Sequence, residues 1–182
     1  MMKTNSGFTL IELMVVLSVL SILTTLAVPA FDSLIKDNRM MLRVNAFSGL
    51  ANYARGEAVK RSARVTLCPS SDGAVCLTTG AWESGLIVFV DADDSATYNG
   101  GDTLLKVFEG IPGAGVTVRG SANLTDYISY IGTGLIRQVD GALQSGTLAF
   151  CDDRGAGDKG KTVTVNAIGR LVATTGVTTC VP

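Results

Sequence analysis

A chain of 182 residues with 47% hydrophobic residues, 15 basic and 16 acidic side chains, a net charge of -1 and no histidine has room for one domain plus an appendage. The missing histidine excludes Ser/His/Asp and Cys/His catalysis, His-ligated zinc and an imidazole general base, and near-neutrality announces no nucleic-acid partner through bulk field. A mean hydropathy of +0.36 beside 17% charged residues is high for a soluble chain, so the apolar surplus must sit somewhere in particular.

It sits at the N-terminus. From Phe8 to Val28, 15 of 21 residues are apolar and Glu12 carries the only charge, while the remainder has an ordinary globular composition. As a helix this run spans about 31 Å, enough for a hydrocarbon core of about 30 Å. A removed signal peptide would use Lys3 as its basic start and Val28-Pro29-Ala30 as its cleavage site. The run is too long for that, and it carries a carboxylate near its start, a charge that costs about 2.5–3.5 kcal/mol at a membrane centre and less near an end, so an unpaired one gains nothing. A retained membrane anchor and a buried core helix are the competing readings.

Pro29 should kink or loosen the helix near Ala30. Helical spacing nonetheless resumes through Phe31, Leu34, Ile35, Leu42, Ala46, Leu50, Tyr53, Ala54 and Ala58, opposite a polar face with Asp32, Lys36, Asp37, Arg39, Arg43 and Asn45. Phe8 to Arg61 therefore reads as one helix of about 80 Å, with Glu57 and Arg61 paired at i and i+4 near its end.

After Ala63 the pattern turns to short β-rich runs separated by Gly, Ser, Asn and Asp. Strands are expected at 64–67, 86–90, 103–108, 116–119, 127–131, 134–138, 147–150, 162–166 and 170–173. With no second long helix between them, an antiparallel sheet or sandwich packed on the amphipathic half of the helix is the economical α+β architecture. The expected divisions are a leader at 1–7, a membrane or fibre-core helix at 8–28, its amphipathic half at 29–62 and a β-rich domain at 63–182.

Cys68, Cys76, Cys151 and Cys180 lack the CxxC spacing that a zinc site favours, and translocation would put all four in an oxidising space. Of three possible connectivities the shortest joins Cys68 to Cys76 and Cys151 to Cys180. On the chain-entropy account loops of these sizes contribute about 2.6 and 3.6 kcal/mol.

The string Asn5-Ser6-Gly7-Phe8-Thr9-Leu10-Ile11-Glu12-Leu13 resembles the class III leader junction of type IV pilins and of type II secretion pseudopilins. That resemblance implies cleavage after Gly7 by a prepilin peptidase and methylation of the new amino group of Phe8. Glu12 would then lie about one helical turn from its own terminal amine and could receive a neighbour's amine in a fibre, turning two costly buried charges into one pair that sets register.

Three further strings are similar to the GspH/FimT/FimU group of minor pilins and pseudopilins: Ala54-Arg55-Gly56-Glu57-Ala58-Val59-Lys60-Arg61; Val65-Thr66-Leu67-Cys68-Pro69 with Asp72-Gly73 and Cys76; and Trp82 with Gly85-Leu86-Ile87-Val88-Phe89-Val90-Asp91. Gly56 stands where the family more often has Ser. The resemblance implies a pilin-like fold and a low-copy structural subunit that primes or caps a type IV pilus, without catalysis or cofactor. It would be held in the inner membrane by one span, with its C-terminal domain in the periplasm, before entering the fibre. Its partners would be major and other minor pilins, the peptidase, the inner-membrane assembly platform and, before assembly, lipid. A type II secretion pseudopilin and a DNA-binding uptake pilin are the alternatives.

Two candidate surfaces remain. Asp91, Asp93, Ser95, Thr97, Asn99 and Asp102 fall at calcium-loop spacing, but Ala96 occupies the position needing glycine and the flanks read as strands, so a solvated hairpin loop without metal is expected. For DNA, Arg154 to Pro182 carries four basic residues and one acidic residue, whereas Val65 to Asp153 carries three and eleven. DNA-uptake pilins of the FimT type end in a basic GRxR string, of which Gly169-Arg170-Leu171-Val172 keeps only the first arginine. Arg154, Lys159, Lys161 and Arg170 could at most neutralise a few phosphates in a salt-sensitive way. A solvated tail loop is the expectation.

Overall fold

The computed structural model describes residues 7, 9–110 and 115–180. Helix α1, Leu10–Arg61, is followed by β1 (Val65–Pro69), β2 (Gly85–Val90), β3 (Thr103–Glu109), β4 (Thr117–Gly120), β5 (Ile128–Tyr130), β6 (Gly146–Cys151), β7 (Gly157–Val165) and β8 (Leu171–Val177). Chain contacts divide the protein into two units, Met1–Asn38 and Arg39–Pro182.

In the first unit every described side chain up to Asp32 is exposed, including Leu10, Leu13, Leu17, Leu20 and Leu23. The polar groups are satisfied along the helix itself. The hydroxyls of Ser18, Ser21, Thr24 and Thr25 donate to the carbonyls of Val15, Ser18, Ser21 and Ile22 at 2.7–2.9 Å. A segment whose hydroxyls are bonded internally can enter lipid without leaving donors orphaned. The helix runs uninterrupted through Pro29, and Lys36 pairs with Asp32 at 3.0 Å.

The second unit holds the core. Met40, Val44, Phe47, Leu50, Ala51, Ala54 and Ala58 are the buried face of α1, and the alanines allow close approach of the sheets. Phe47 is central, with its ring edge-on to Trp82 at 5.7 Å and to Phe150 at 5.9 Å. The Trp82 indole donates to the carbonyls of Leu124 and Thr125 at 3.0 and 2.9 Å. All strand pairs are antiparallel, in two four-stranded sheets ordered β3-β2-β1-β5 and β4-β6-β7-β8. Gln144, fully buried, joins neighbouring segments: its amide donates to Asn123 and Tyr127 carbonyls while its oxygen accepts from Ser129 N–H.

Cys68 is bonded to Cys76 and Cys151 to Cys180, with Cα separations of 5.5 and 5.9 Å. The first bridge closes a loop over the far face of the β1–β2 sheet, where Cys68, Ile87 and Phe89 form a second small core beneath Cys76, Tyr98 and Tyr127. The second ties the end of β6 to the tail beyond β8.

One expected strand, 134–138, is not a strand. Gly134 takes φ +78° in a turn, and the following donors go to separate elements: Ile136 N–H to Ala167 and Arg137 N–H to Ser129. Only isolated bridges result, Tyr130 to Ile136 and Arg137 to Leu143. Strand β7 starts at Gly157, five residues before the expected strand at 162, because Gly and charged residues hide an edge-ward extension that carries a register shift.

Candidate functional site

At the helix start, Gly7 is exposed and non-helical; Phe8 lies outside the described residues. Thr9 caps α1, its hydroxyl accepting from Glu12 N–H at 3.3 Å while its carbonyl accepts from Leu13 N–H at 3.2 Å. Thr9 and Glu12 thus occupy the first and last positions of a capping-box sequence, a signal present in Thr9-Leu10-Ile11-Glu12 that the family resemblance overshadowed. Glu12 lies in the first turn, where a carboxylate complements the exposed N–H groups of the helix end. No side chain in the most apolar window of α1, mean hydropathy 2.3, is buried within the chain.

Asp91, Asp93 and Asp102 are brought together, with one carboxylate oxygen from each within 4.8 Å of the others. Each of their six carboxylate oxygens accepts at least one hydrogen bond. Asp91 Oδ1 accepts from Ser95 N–H, and its Oδ2 from Ala96 N–H and the Thr66 hydroxyl. Asp93 accepts from Ser95 N–H and the Asn99 amide, and Asp102 from Ala92 and Asn99 N–H. Burial raises the Asp91 carboxyl above the ordinary carboxylate value, while hydrogen bonds from Ser95 and Asn99 hold Asp93 below it. The loop's product is mechanical: it sets Tyr98 on Phe89 at 5.3 Å between centroids and against Cys76.

The four basic residues singled out for DNA are spread out. The Arg154 guanidinium lies on the Asp152 carboxylate at 2.6 Å, Lys159 is near the start of β7, Lys161 reaches the Thr175 hydroxyl at 2.9 Å, and Arg170 stands in the turn at the other end of the β7–β8 hairpin. Six residues of strand, about 20 Å, separate Lys159 from the end of β7.

Two arginines of structural weight were not singled out from sequence. Arg55 donates from Nε to Gly134 and from Nη2 to Ile168, at 3.1 and 3.0 Å, clamping two distant loops onto α1. Arg119 donates through Nη1 to Glu83 Oε1 at 2.6 Å, and Glu83 also accepts Val118 N–H. Burial lowers the Arg43 pKa, with the nearby Glu83 charge opposing that shift. Arg55 sits within Ala54–Arg61, the string that carries the resemblance, so its signal was present there.

A long N-terminal helix with an uncovered apolar half, followed by two antiparallel sheets, defines the type IV pilin fold. Residues 43–169 match the family described as Type II transport protein GspH, and residues 2–28 match the Prokaryotic N-terminal methylation motif. This chain belongs to the GspH family, a group of structural pilin-type proteins. Two crystal forms of the type IV minor pilin FimU of Pseudomonas aeruginosa strain PAO1 share its fold. One has a TM-score of 0.63 at 20% identity, covering 79% of this chain and 96% of FimU; the other has 0.57 at 18%, covering 75% and 96%.

Proposed function

We propose that this chain is a structural minor pilin that primes or caps assembly of a type IV pilus. The observation that carries the reading is the apolar half of α1, unburied by the described residues over its most apolar window and beginning at a Thr9 cap that holds the Glu12 N–H. Such a surface needs lipid or other helices around it. In the proposed sequence of events a prepilin peptidase cuts after Gly7 and methylates Phe8. The span at 8–28 holds the protein in the inner membrane, its periplasmic domain at 63–182 standing on the amphipathic half at 29–62. The assembly platform then passes it to neighbouring pilins, where Glu12 receives a neighbour's amine. No catalytic role or cofactor is proposed.

Sheared pili analysed by mass spectrometry should contain the chain with a methylated Phe8 terminus, and Glu12→Ala should lower its incorporation. A terminus at Phe31, or normal incorporation of Glu12→Ala, would refute the processing or the pairing respectively. The GspH family description favours one second reading, a minor pseudopilin of type II secretion. Loss of secretion with pili intact on deletion of the gene would select it.

A further inference from the structure

The free edges of the two sheets are not alike. Strand β5 has three residues and β4 four, while β3 carries Lys106 and Glu109 and a register shift opposite Val88 and Phe89. Shortness, charge and irregularity are the usual protections against pairing with another chain. Strand β8, Leu171-Val172-Ala173-Thr174-Thr175-Gly176-Val177, has seven residues, no charge and no proline, it is largely exposed, and its irregularity is confined to the Gly176 end, so that Leu171–Thr175 pair with β7 in unbroken register.

The hairpin fixes which groups face outward. Asn166 N–H donates to the Arg170 carbonyl, so the bonded pairs beyond it are Thr164 with Val172 and Thr162 with Thr174. Leu171, Ala173 and Thr175 therefore direct their N–H and C=O groups away from β7. Among the described residues β8 pairs with β7 alone, and no side chain takes those N–H groups. A groove of about 190 Å³ lies alongside, with Met41, Val44 and Asn45 of α1 on one side and Lys161, Ala173 and Thr175 on the other.

We infer that the β8 edge is a docking site for an extended segment of a neighbouring pilin-type subunit, which adds to the sheet as a further strand. The inference rests on the proposed role in a fibre. Backbone groups of Leu171, Ala173 and Thr175 supply the ladder, and alternate side chains of the guest face Met41 and Val44. Charge selects the guest: Lys161 is the one charged side chain lining the groove, so the guest segment bears a carboxylate opposite it.

The test uses the full chain in cells that assemble the fibre. Ala173→Pro removes one outward N–H and leaves the β7 ladder intact, because edge positions tolerate proline. Its content in sheared fibres should fall at least tenfold with cellular level and disulfide state unchanged; incorporation at the wild-type level would overturn the inference. As a second measurement independent of that variant's folding, benzoylphenylalanine at Met41 should photo-crosslink to an Asp- or Glu-bearing segment of another pilin-type subunit, and Lys161→Glu should reduce the adduct severalfold. An adduct to lipid or to a second copy of this chain, or no adduct, would overturn the assignment. Fibres lacking even the wild-type chain would instead overturn the pilus reading on which it rests.

Discussion

The two halves of α1 share one backbone geometry and face different surroundings. Leu13, Leu17 and Leu20 are exposed among the described residues, whereas Phe47, Leu50 and Ala54 are almost fully enclosed by two sheets. The first half carries apolar residues on all sides, the pattern of a helix covered by lipid or by other helices. The second is apolar on one stripe only, the pattern of a helix covered by its own chain. Stability of the folded domain should therefore be a property of the second half alone, with assembly depending on the first.

Trp82 is the only tryptophan and is buried against Phe47, so its fluorescence in detergent-solubilised full chain reports the domain. The largest effect is expected from Phe47→Ala, which should cost about 3–5 kcal/mol in urea unfolding followed by that signal. Replacing both Cys151 and Cys180 with Ser should cost about 3.6 kcal/mol by the same measurement, and the Cys68–Cys76 pair about 2.6. Ser62 holds φ +52° where the chain leaves α1, with Ala63 N–H bonded back to Ala58. Ser62→Gly should stabilise the domain by about 0.5–1 kcal/mol, since glycine adopts that conformation without a Cβ penalty.

Acid should loosen the 91–102 loop. Asp93 is held below its unfolded value, so its contribution is present above about pH 4 and is lost as pH falls through its folded pKa. Asp91, raised by burial, works in the opposite sense, its contribution lost as pH rises from the unfolded through the folded value. Asp93→Asn should flatten the acid-side change in the Ser95 amide resonance. At the bottom of the scale, Leu20→Ala should leave the Trp82 unfolding midpoint unmoved while weakening partition into vesicles. A shift in that midpoint comparable to Phe47→Ala would break the division between the halves.

Most of the fold was legible where periodicity was strong. The helix end at Arg61 and the strands around Val65, Ile87 and Phe150 follow from spacing that admits one solution. The segment 134–138 misled because Ile136 and its neighbours are β-formers by composition, yet their backbone donors are claimed by Ala167 and Ser129, partners remote in sequence. The Asp cluster was legible as a constellation, and its hydrogen bonding was not, since the Thr66 hydroxyl on Asp91 comes from β1, outside the spacing pattern. Arg55 could be seen as part of a string and not as a clamp, because Gly134 and Ile168 are 79 and 113 residues away.

By itself the sequence determined what local chemistry determines: one apolar segment long enough to cross a bilayer, a cappable start at Thr9 and Glu12, and four cysteines suited to an oxidising space. Tertiary structure alone decided which cysteines pair, that Asp91 takes the Thr66 hydroxyl of β1, and that Arg170 stands at the opposite end of the β7–β8 hairpin from Lys159. Those outcomes depend on which strands become neighbours and which edge is left open. Pairing is settled by burying Phe47, Trp82 and Phe150 together, an energy shared across the whole domain and written in no single stretch of it.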